Sequence, residues 1–143
     1  MSSVDPRTPV LVGSGQLIQR PDNPLDALEP VAMMRAALEA AAGDAGANSL
    51  LDRATHTWVV KGAWPYPDPG ALLRDEFGNN SRTGLSTDGG NTPQSLVNKA
   101  SVRIQQGEAD IVLILGAEGI WSRRRAKRSG ERIPYTDQAP TQP

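Results

Sequence analysis

The segment Asp110 to Leu115, DIVLIL, constrains the fold of this chain more than any other stretch. It is a short, continuous aliphatic run with Gly107 before it and Gly116 after it. Such a run, without alternating polar residues, is typical of a strand that is buried on both faces, as in a parallel sheet. Parallel neighbours need long crossover connections, which helices usually provide. The segment therefore predicts a central strand among strands and helices that alternate.

The rest of the chain supplies that alternation. Strands are also predicted over residues 8–18, 55–61 and 82–87. Helices are predicted from Asn23 to Gly43 or Gly46, over residues 70–77, and from Thr92 to about residue 106. The order β-α-β-α-β-α-β predicts an α/β fold with a mostly parallel sheet that is covered by helices.

Composition excludes several classes of function. A chain of 143 residues suits one domain, and a net charge of -1 gives no reason to expect nucleic acid as a bulk partner. The absence of cysteine excludes disulfides, thiolate metal sites and a cysteine nucleophile in this chain, and a single histidine disfavours a histidine-built metal site. The first residues lack the pattern of a secretory signal, and no apolar run is long enough to span a bilayer. We therefore expect a cytoplasmic protein without a membrane partner.

The most promising local motif is the corner TGLSTDGGNTPQSLV, residues 83–97, which is predicted as a strand, a turn and the start of a helix. Gly89 and Gly90 allow a sharp turn and a close approach of the backbone to a ligand. Asn91 or Thr92 can cap the helix, and free N–H groups there can face an anion or a developing oxyanion. The same residues would also make a plain capped turn, which the local pattern alone favours.

Other motifs support plainer interpretations. The segment VGSGQ, residues 12–16, lacks the third glycine of a dinucleotide fingerprint, so Rossmann-type binding is disfavoured. His56 has no second ligand or acid near it in sequence and is interpreted as structural or as a surface residue. Asp88 is expected to stabilise the turn before the glycines by a hydrogen bond.

A basic segment near the C-terminus leaves two interpretations open. It contains Arg123, Arg124, Arg125, Lys127 and Arg128. These residues could bind phosphates of nucleic acid or of a phosphorylated cofactor, but a solvated helix face is favoured. Trp121 beside them is interpreted as a packing anchor rather than as a platform for base stacking.

Together, several of these segments resemble the N-terminal half of thiolases. The similarity rests on PVLVGSGQ (residues 9–16), the Ala-rich helix, the glycine corner and IQQGEADIVLILGAEG (residues 104–119). It covers roughly residues 8–125 and points to the sterol-carrier-type acetyl-CoA acetyltransferase group. The resemblance implies a thiolase-like half-fold with a mostly parallel, mixed sheet.

The resemblance also identifies what the corner lacks. In thiolases the helix that ends at the glycine matching Gly107 begins with the nucleophilic cysteine, and counting back along this helix places that position at Gly90. Without a thiolate, acyl transfer by the family's route cannot proceed on this chain alone. The resemblance therefore implies no catalytic residue and no metal or resident cofactor. It implies that Gly89, Gly90, Asn91 and Thr92 bind an acyl-CoA thioester as substrate or ligand.

The family also implies partners and boundaries. Residues 1–125 would form the thiolase-like domain, and residues 126–143 a basic, proline-containing tail or the start of the thiolase insertion region. The C-terminal half of the fold would come from another polypeptide or from a longer chain, which implies an oligomer or a partner. The family's activity is acyl transfer between coenzyme A thioesters in lipid metabolism. The alternative is a non-catalytic structural or regulatory subunit that assembles with the chain supplying the other half.

Overall fold

A computed structural model describes residues 3–140 of the chain. The helices are α1 (Pro30–Asp44), α2 (Ser49–Asp52), α3 (Pro69–Phe77), α4 (Thr92–Gln105) and α5 (Ile120–Arg128). The strands are β1 (His56–Val59), β2 (Arg82–Leu85) and β3 (Val112–Leu115), and a short 3-10 helix covers Pro24–Asp26.

The three strands form one parallel sheet in the order β2-β1-β3. In the centre, His56 lies opposite Arg82 on one side and opposite Val112 on the other. All four residues of β1 are buried, as expected for a strand with covered faces. The predicted α/β class and parallel sheet are therefore confirmed.

Helices pack on both faces of the sheet. On one face, Val59 of β1 joins a core to which α1 contributes Met34 and α3 contributes Leu73, and all three side chains are fully buried. Adjacent residues of a strand point to opposite faces. Trp58 accordingly points to the opposite face, which α4 covers. There the ammonium nitrogen of Lys99 lies 5.2 Å from the centre of the Trp58 ring. The sheet thus lies between two layers of helices, as expected for a chain in which strands and helices alternate.

The first predicted strand, residues 8–18, is wrong, since this segment pairs with no strand of the sheet. It runs along α1 instead, where a Cβ on Gly13 or Gly15 would overlap backbone carbonyls of the helix. The N–H of Ser14 also donates to Asp44 at 2.9 Å. Val10 and Leu11 remain 72% and 89% exposed. The segment has strand-like residues, but it lies across a groove from β3 and forms no ladder with it.

An apolar groove separates this segment from β3. We call it the β3 groove; its volume is about 430 Å³, and it is lined chiefly by residues 10–15, one side of α1 and residues 111–116. The carbonyls of Ile111 and Leu115 accept hydrogen bonds from the β1 side. Because backbone groups alternate along a strand, those of Val112 and Ile114 face the groove. Among residues 3–140, β3 is thus an open edge of the sheet, and β1 is the central strand. The prediction that the DIVLIL segment forms a central strand is therefore wrong for the described residues.

The first helix starts later than its sequence suggests. Asn23 caps only the 3-10 turn, accepting from the N–H of Leu25 at 3.1 Å. Ala27 is then extended, and α1 begins at Pro30, whose fixed φ suits a first helical turn. The helix ends at Asp44, close to the predicted glycines.

The segment after α5 is packed against the domain rather than free. Ile133 is buried, and the ring of Tyr135 stacks on that of Tyr66 at 5.6 Å. The side chain of Gln138 accepts from the N–H of Asp68 at 2.9 Å and donates to its carbonyl at 2.6 Å. The predicted boundary after residue 125 falls within α5. The division into domain and tail stays a prediction, although the two parts are in contact.

Of the helices that the described range contains, none has the length and apolar character needed to cross a membrane.

Candidate functional site

Because the three strands are parallel, the loops that follow them meet at the carboxyl end of the sheet. Open α/β sheets usually bind ligands at this end. A cleft of about 1560 Å³ lies there. It is lined by residues 61–65 after β1, Asp88 after β2 and Glu118 after β3, and it is closed by parts of α5 and residues 131–137.

Hydrogen bonds fix the walls of this cleft. Glu118 accepts from the N–H of Ala63 at 2.8 Å, which ties the loop after β3 to the loop after β1. The indole of Trp64 donates to the carbonyl of Ala117 at 3.0 Å and repeats that connection. Lys61 connects the loop after β1 to the corner, since its N–H donates to the hydroxyl of Ser86 at 2.9 Å. The cleft is therefore a bonded frame rather than a gap between unconnected loops.

The glycine corner adjoins the cleft through Asp88, which lines it, whereas Gly89, Gly90, Asn91 and Thr92 lie outside its lining. The N–H of Thr92 donates to the carbonyl of Gly89 at 3.2 Å, and its hydroxyl donates to that of Thr87 at 3.4 Å. Thr92 is buried, whereas Gly89, Gly90 and Asn91 are exposed. A Cβ added to Gly90 would meet no atom within 4 Å. The position at Gly90 is thus open, and Thr92 is occupied with closing the turn.

Two expectations about the corner are not met. The side chain of Asn91 makes no capping bond although Asn91 is the N-cap of α4, and Pro93 opens the helix. Asp88, within the described residues, makes no hydrogen bond that stabilises the turn, and it is one of the residues that line the cleft. Within the same range, the N–H groups of Gly90 and Asn91 have no protein acceptor. Like the N–H groups of Thr87, Asp88 and Gly89, they are available as donors, while the binding roles of Gly89, Gly90, Asn91 and Thr92 stay predictions.

His56 is a structural residue, as expected. It is 4% exposed, and its ring lies edge-on to that of Trp58, with 5.4 Å between the ring centres. Its Nδ1 is 3.2 Å from the hydroxyl oxygen of Thr55. Burial, assisted by the positive charges of Arg103 and Arg82, lowers the pKa of His56. It does not line the cleft.

The basic segment is divided between structural and exposed cations. Arg125 donates to the carbonyls of Pro21 and Asp22, both at 2.9 Å, and Arg123 donates to the carbonyl of Ala63. Arg124, Lys127 and Arg128 are exposed. The prediction of a solvated helix face therefore fits three of the five residues. The interpretation of Trp121 as a packing anchor is not supported, because this side chain is 42% exposed.

Two stacked tyrosines lie at the cleft: Tyr135 lines it, and Tyr66 packs against Tyr135. Tyr66 donates to Glu29 at 2.5 Å, and the same carboxylate accepts from the N–H and the hydroxyl of Thr136 at 2.6 and 2.5 Å. Burial, followed by the hydrogen bond to Glu29 and its negative charge, raises the pKa of Tyr66. Burial is also the main cause of the raised pKa of Tyr135. Both phenols remain protonated at neutral pH and serve as neutral packing and hydrogen-bonding groups.

Sequence reasoning missed most of the cleft. Glu118 belongs to the GAEG segment that helped to identify the resemblance, but its bond to Ala63 had no local signal. Trp64 and Tyr135 are separated from Glu118 by long stretches of sequence and reach the cleft through loops. In the sequence, these two residues are recognisable only as aromatic side chains in turn-rich segments that follow a predicted strand or helix.

The arrangement supports binding better than covalent catalysis. It offers open backbone donors at Gly90 and Asn91, one unbonded carboxylate at Asp88 and cations on α5. The chain contains no cysteine, and the hydroxyl of Thr92 donates to the backbone carbonyl of Thr87 rather than to a basic side chain. Residues 3–140 contain no group of three or more His, Asp or Glu side chains placed to hold a metal ion.

The chain matches no protein-family model and no curated protein. Among solved structures, it is similar to the monomeric SCP2-thiolase-like protein type 1 from Mycobacterium smegmatis, with a TM-score of 0.67 and 29% sequence identity. The match covers 78% of this chain and 24% of that protein. The chain thus spans about a quarter of the length of the protein it resembles.

This similarity agrees with the α/β architecture, in which helices cover a parallel sheet. It supports the resemblance to thiolases at the level of the fold. The chain therefore forms a thiolase-like domain with the architecture of a thiolase-like half-fold.

Proposed function

We propose that this domain binds acyl-CoA thioesters at the glycine corner without forming an acyl-enzyme. The observation that carries the proposal is the open position at Gly90, where nothing lies within 4 Å of an added Cβ. In the family it resembles, this position holds the nucleophile. Here it leaves room for a thioester carbonyl near the N–H groups of Gly90 and Asn91.

The surroundings of the corner support this function. The start of α4 adds the positive end of a helix dipole, which favours a partial negative charge on a bound carbonyl oxygen. The adjoining cleft extends from Asp88 to α5 and has room for the long arm of a coenzyme A thioester. The absence of a thiolate removes the acyl-transfer step that thiolases perform, so the ligand would be held and released unchanged.

Isothermal titration calorimetry with acetyl-CoA tests this proposal. Gly90→Leu should fill the open position and abolish binding. Gly43→Leu is the matched control, because Gly43 in α1 also has nothing within 4 Å of an added Cβ and is exposed. Equal affinity of the wild-type protein and Gly90→Leu for acetyl-CoA would refute a site at the corner, and no binding by the wild-type protein would refute the function.

A second function, assembly with a partner chain that supplies the other half of the fold, is favoured by the β3 groove. Val10 and Leu11 are exposed on one side of it, and the backbone of Val112 and Ile114 faces it from the other. An edge strand of this aliphatic kind readily pairs with another strand. Native mass spectrometry of the protein from its own source should then detect a second polypeptide, and the 15.2 kDa chain alone would contradict this role.

A further inference from the structure

The outer side of α5 forms a second concave surface next to the cleft. We call it the α5 groove; its volume is about 810 Å³. It is lined by Ile120, Trp121, Arg124, Lys127 and Arg128. Three of these side chains are cationic and none is acidic, so the groove favours an anionic ligand.

The cations of the α5 groove are not used to hold the fold. Within residues 3–140, Arg124, Lys127 and Arg128 make no side-chain hydrogen bond and no ion pair, in contrast to the neighbouring Arg123 and Arg125. Basic side chains of this segment are thus divided by role: two fix α5 to the domain, and three face solvent on one side of the helix. The solvent-facing set is available to a ligand.

Trp121 adds an aromatic surface to this groove. It is 42% exposed, and the guanidinium of Arg125 lies 4.6 Å from the centre of its ring. Residues three or four positions apart share one side of a helix, so Trp121 lies beside Arg124 and, one turn further, Arg128. An exposed indole next to cations is suited to a ligand that has both a flat ring and phosphate groups.

The α5 groove adjoins the cleft. Arg124 and Lys127 line both of them, so these two side chains stand on the ridge between the two surfaces. A ligand whose one end reaches the corner beside Asp88 could pass through the cleft and place its other end over α5. A coenzyme A thioester has this layout, with the acyl group at one end of a flexible arm and an adenosine phosphate at the other.

We propose that the α5 groove binds the nucleoside phosphate portion of the ligand, with Arg124, Lys127 and Arg128 on the phosphates and Trp121 under the base. This inference rests on the proposed binding of acyl-CoA and assigns the part of the molecule distant from the thioester. Nucleic acid shares the chemistry of base and phosphate. Coenzyme A is favoured over it because only three cations are available and the chain as a whole carries a net charge of -1.

Calorimetry with separate parts of the ligand tests this site. Adenosine 3′,5′-bisphosphate should bind the wild-type protein by itself, and its affinity should fall with increasing salt. The double variant Arg124→Gln/Lys127→Gln should lower that affinity by about tenfold, because it removes two charge-assisted contacts. Trp121→Leu should weaken it without changing the salt dependence. Arg53→Gln is the control, since Arg53 is an exposed cation outside both surfaces.

Four probes distinguish failure of this site from failure of the proposed function. Acetyl-CoA should bind more tightly than S-acetylpantetheine and should compete with adenosine 3′,5′-bisphosphate. Equal affinities of the two thioesters, with no binding of the bisphosphate, would overturn the nucleotide site and leave the corner proposal standing. Binding of the bisphosphate without any binding of either thioester would overturn the corner proposal and with it this inference. Binding of single-stranded oligoadenylate alone would overturn both in favour of nucleic acid.

Discussion

A cysteine placed at Gly90 should be a more reactive thiol than one placed at Gly43. Neither position would crowd the added side chain, since a Cβ at either residue would have no atom within 4 Å, and both residues are exposed. They differ in their position relative to a helix: Gly90 precedes the N-terminus of α4, whereas Gly43 lies in the last turn of α1. Because the natural chain contains no cysteine, each variant carries a single thiol.

The helix ends set the size of the effect. A charge at a surface helix terminus interacts with the dipole by about 0.3–1 kcal/mol, which corresponds to a pKa shift of about 0.2–0.7. The N-terminus of α4 should lower the pKa of the thiol in Gly90→Cys, and the C-terminus of α1 should raise it in Gly43→Cys. The two pKa values should therefore differ by about 0.4–1.4. At neutral pH the lower pKa increases the ionised fraction of the Gly90→Cys thiol, but the less basic thiolate is also less nucleophilic. Gly90→Cys should therefore be alkylated about 2–6 times faster than Gly43→Cys.

The assay is the rate of alkylation by iodoacetamide as a function of pH, with circular dichroism to check that both variants fold. The inflection of each profile gives the pKa of its thiol. A higher pKa in Gly90→Cys than in Gly43→Cys would refute the assignment of the corner as an electropositive helix start. Slow alkylation of Gly90→Cys at a pH where its thiol is fully ionised would refute the conclusion that this position is open.

Three further changes test the interior of the domain. Met34→Ala should lower the free energy of unfolding by about 2–5 kcal/mol in urea titrations, because Met34 is fully buried between α1 and the sheet. Glu29→Ala should cost about 1–3 kcal/mol by leaving the donors of Tyr66 and Thr136 without their acceptor, whereas the exposed Glu39→Ala should change stability by less than about 0.5 kcal/mol. The lowered pKa of His56 means that the unfolded chain takes up its proton first as the pH falls below 6.5. Stability should therefore decrease below that pH, and denaturation curves of His56→Asn should show a weaker decrease.

The elements that the sequence predicted well are those whose signal is local. The aliphatic run that contains β3 and the β-branched, aromatic run of β1 both form strands near their predicted bounds. The helix α4 also begins at Thr92, where the glycine turn and Pro93 set its start. In each case, the residues within the element carry both its periodicity and its boundary signals.

The failed strand shows what local signals lack. Val10, Leu11 and Val12 are as strand-like as the residues of β3, yet they pair with nothing in the sheet. A strand forms only when a neighbour provides hydrogen bonds along its length, and that neighbour is a non-local property. The cleft was missed for the same reason, because Trp64 and Glu118 meet through loops that are distant in sequence.

The proposed ligand site and the proposed docking groove lie at different parts of the sheet. The corner follows the carboxyl end of β2, whereas the groove runs along the open side of β3. The corner is closed by bonds from Thr92 to Gly89 and Thr87, and it is tied to the loop after β1 through Ser86. None of these contacts involves the β3 groove, which is lined by residues 10–15, α1, Leu50 and Leu51, the outer edge of β3, and Val97 further along α4. A chain that covers the groove would extend the sheet sideways, whereas a thioester would approach the loops at its end. The domain can therefore present a formed corner to a ligand whether or not a partner occupies the groove.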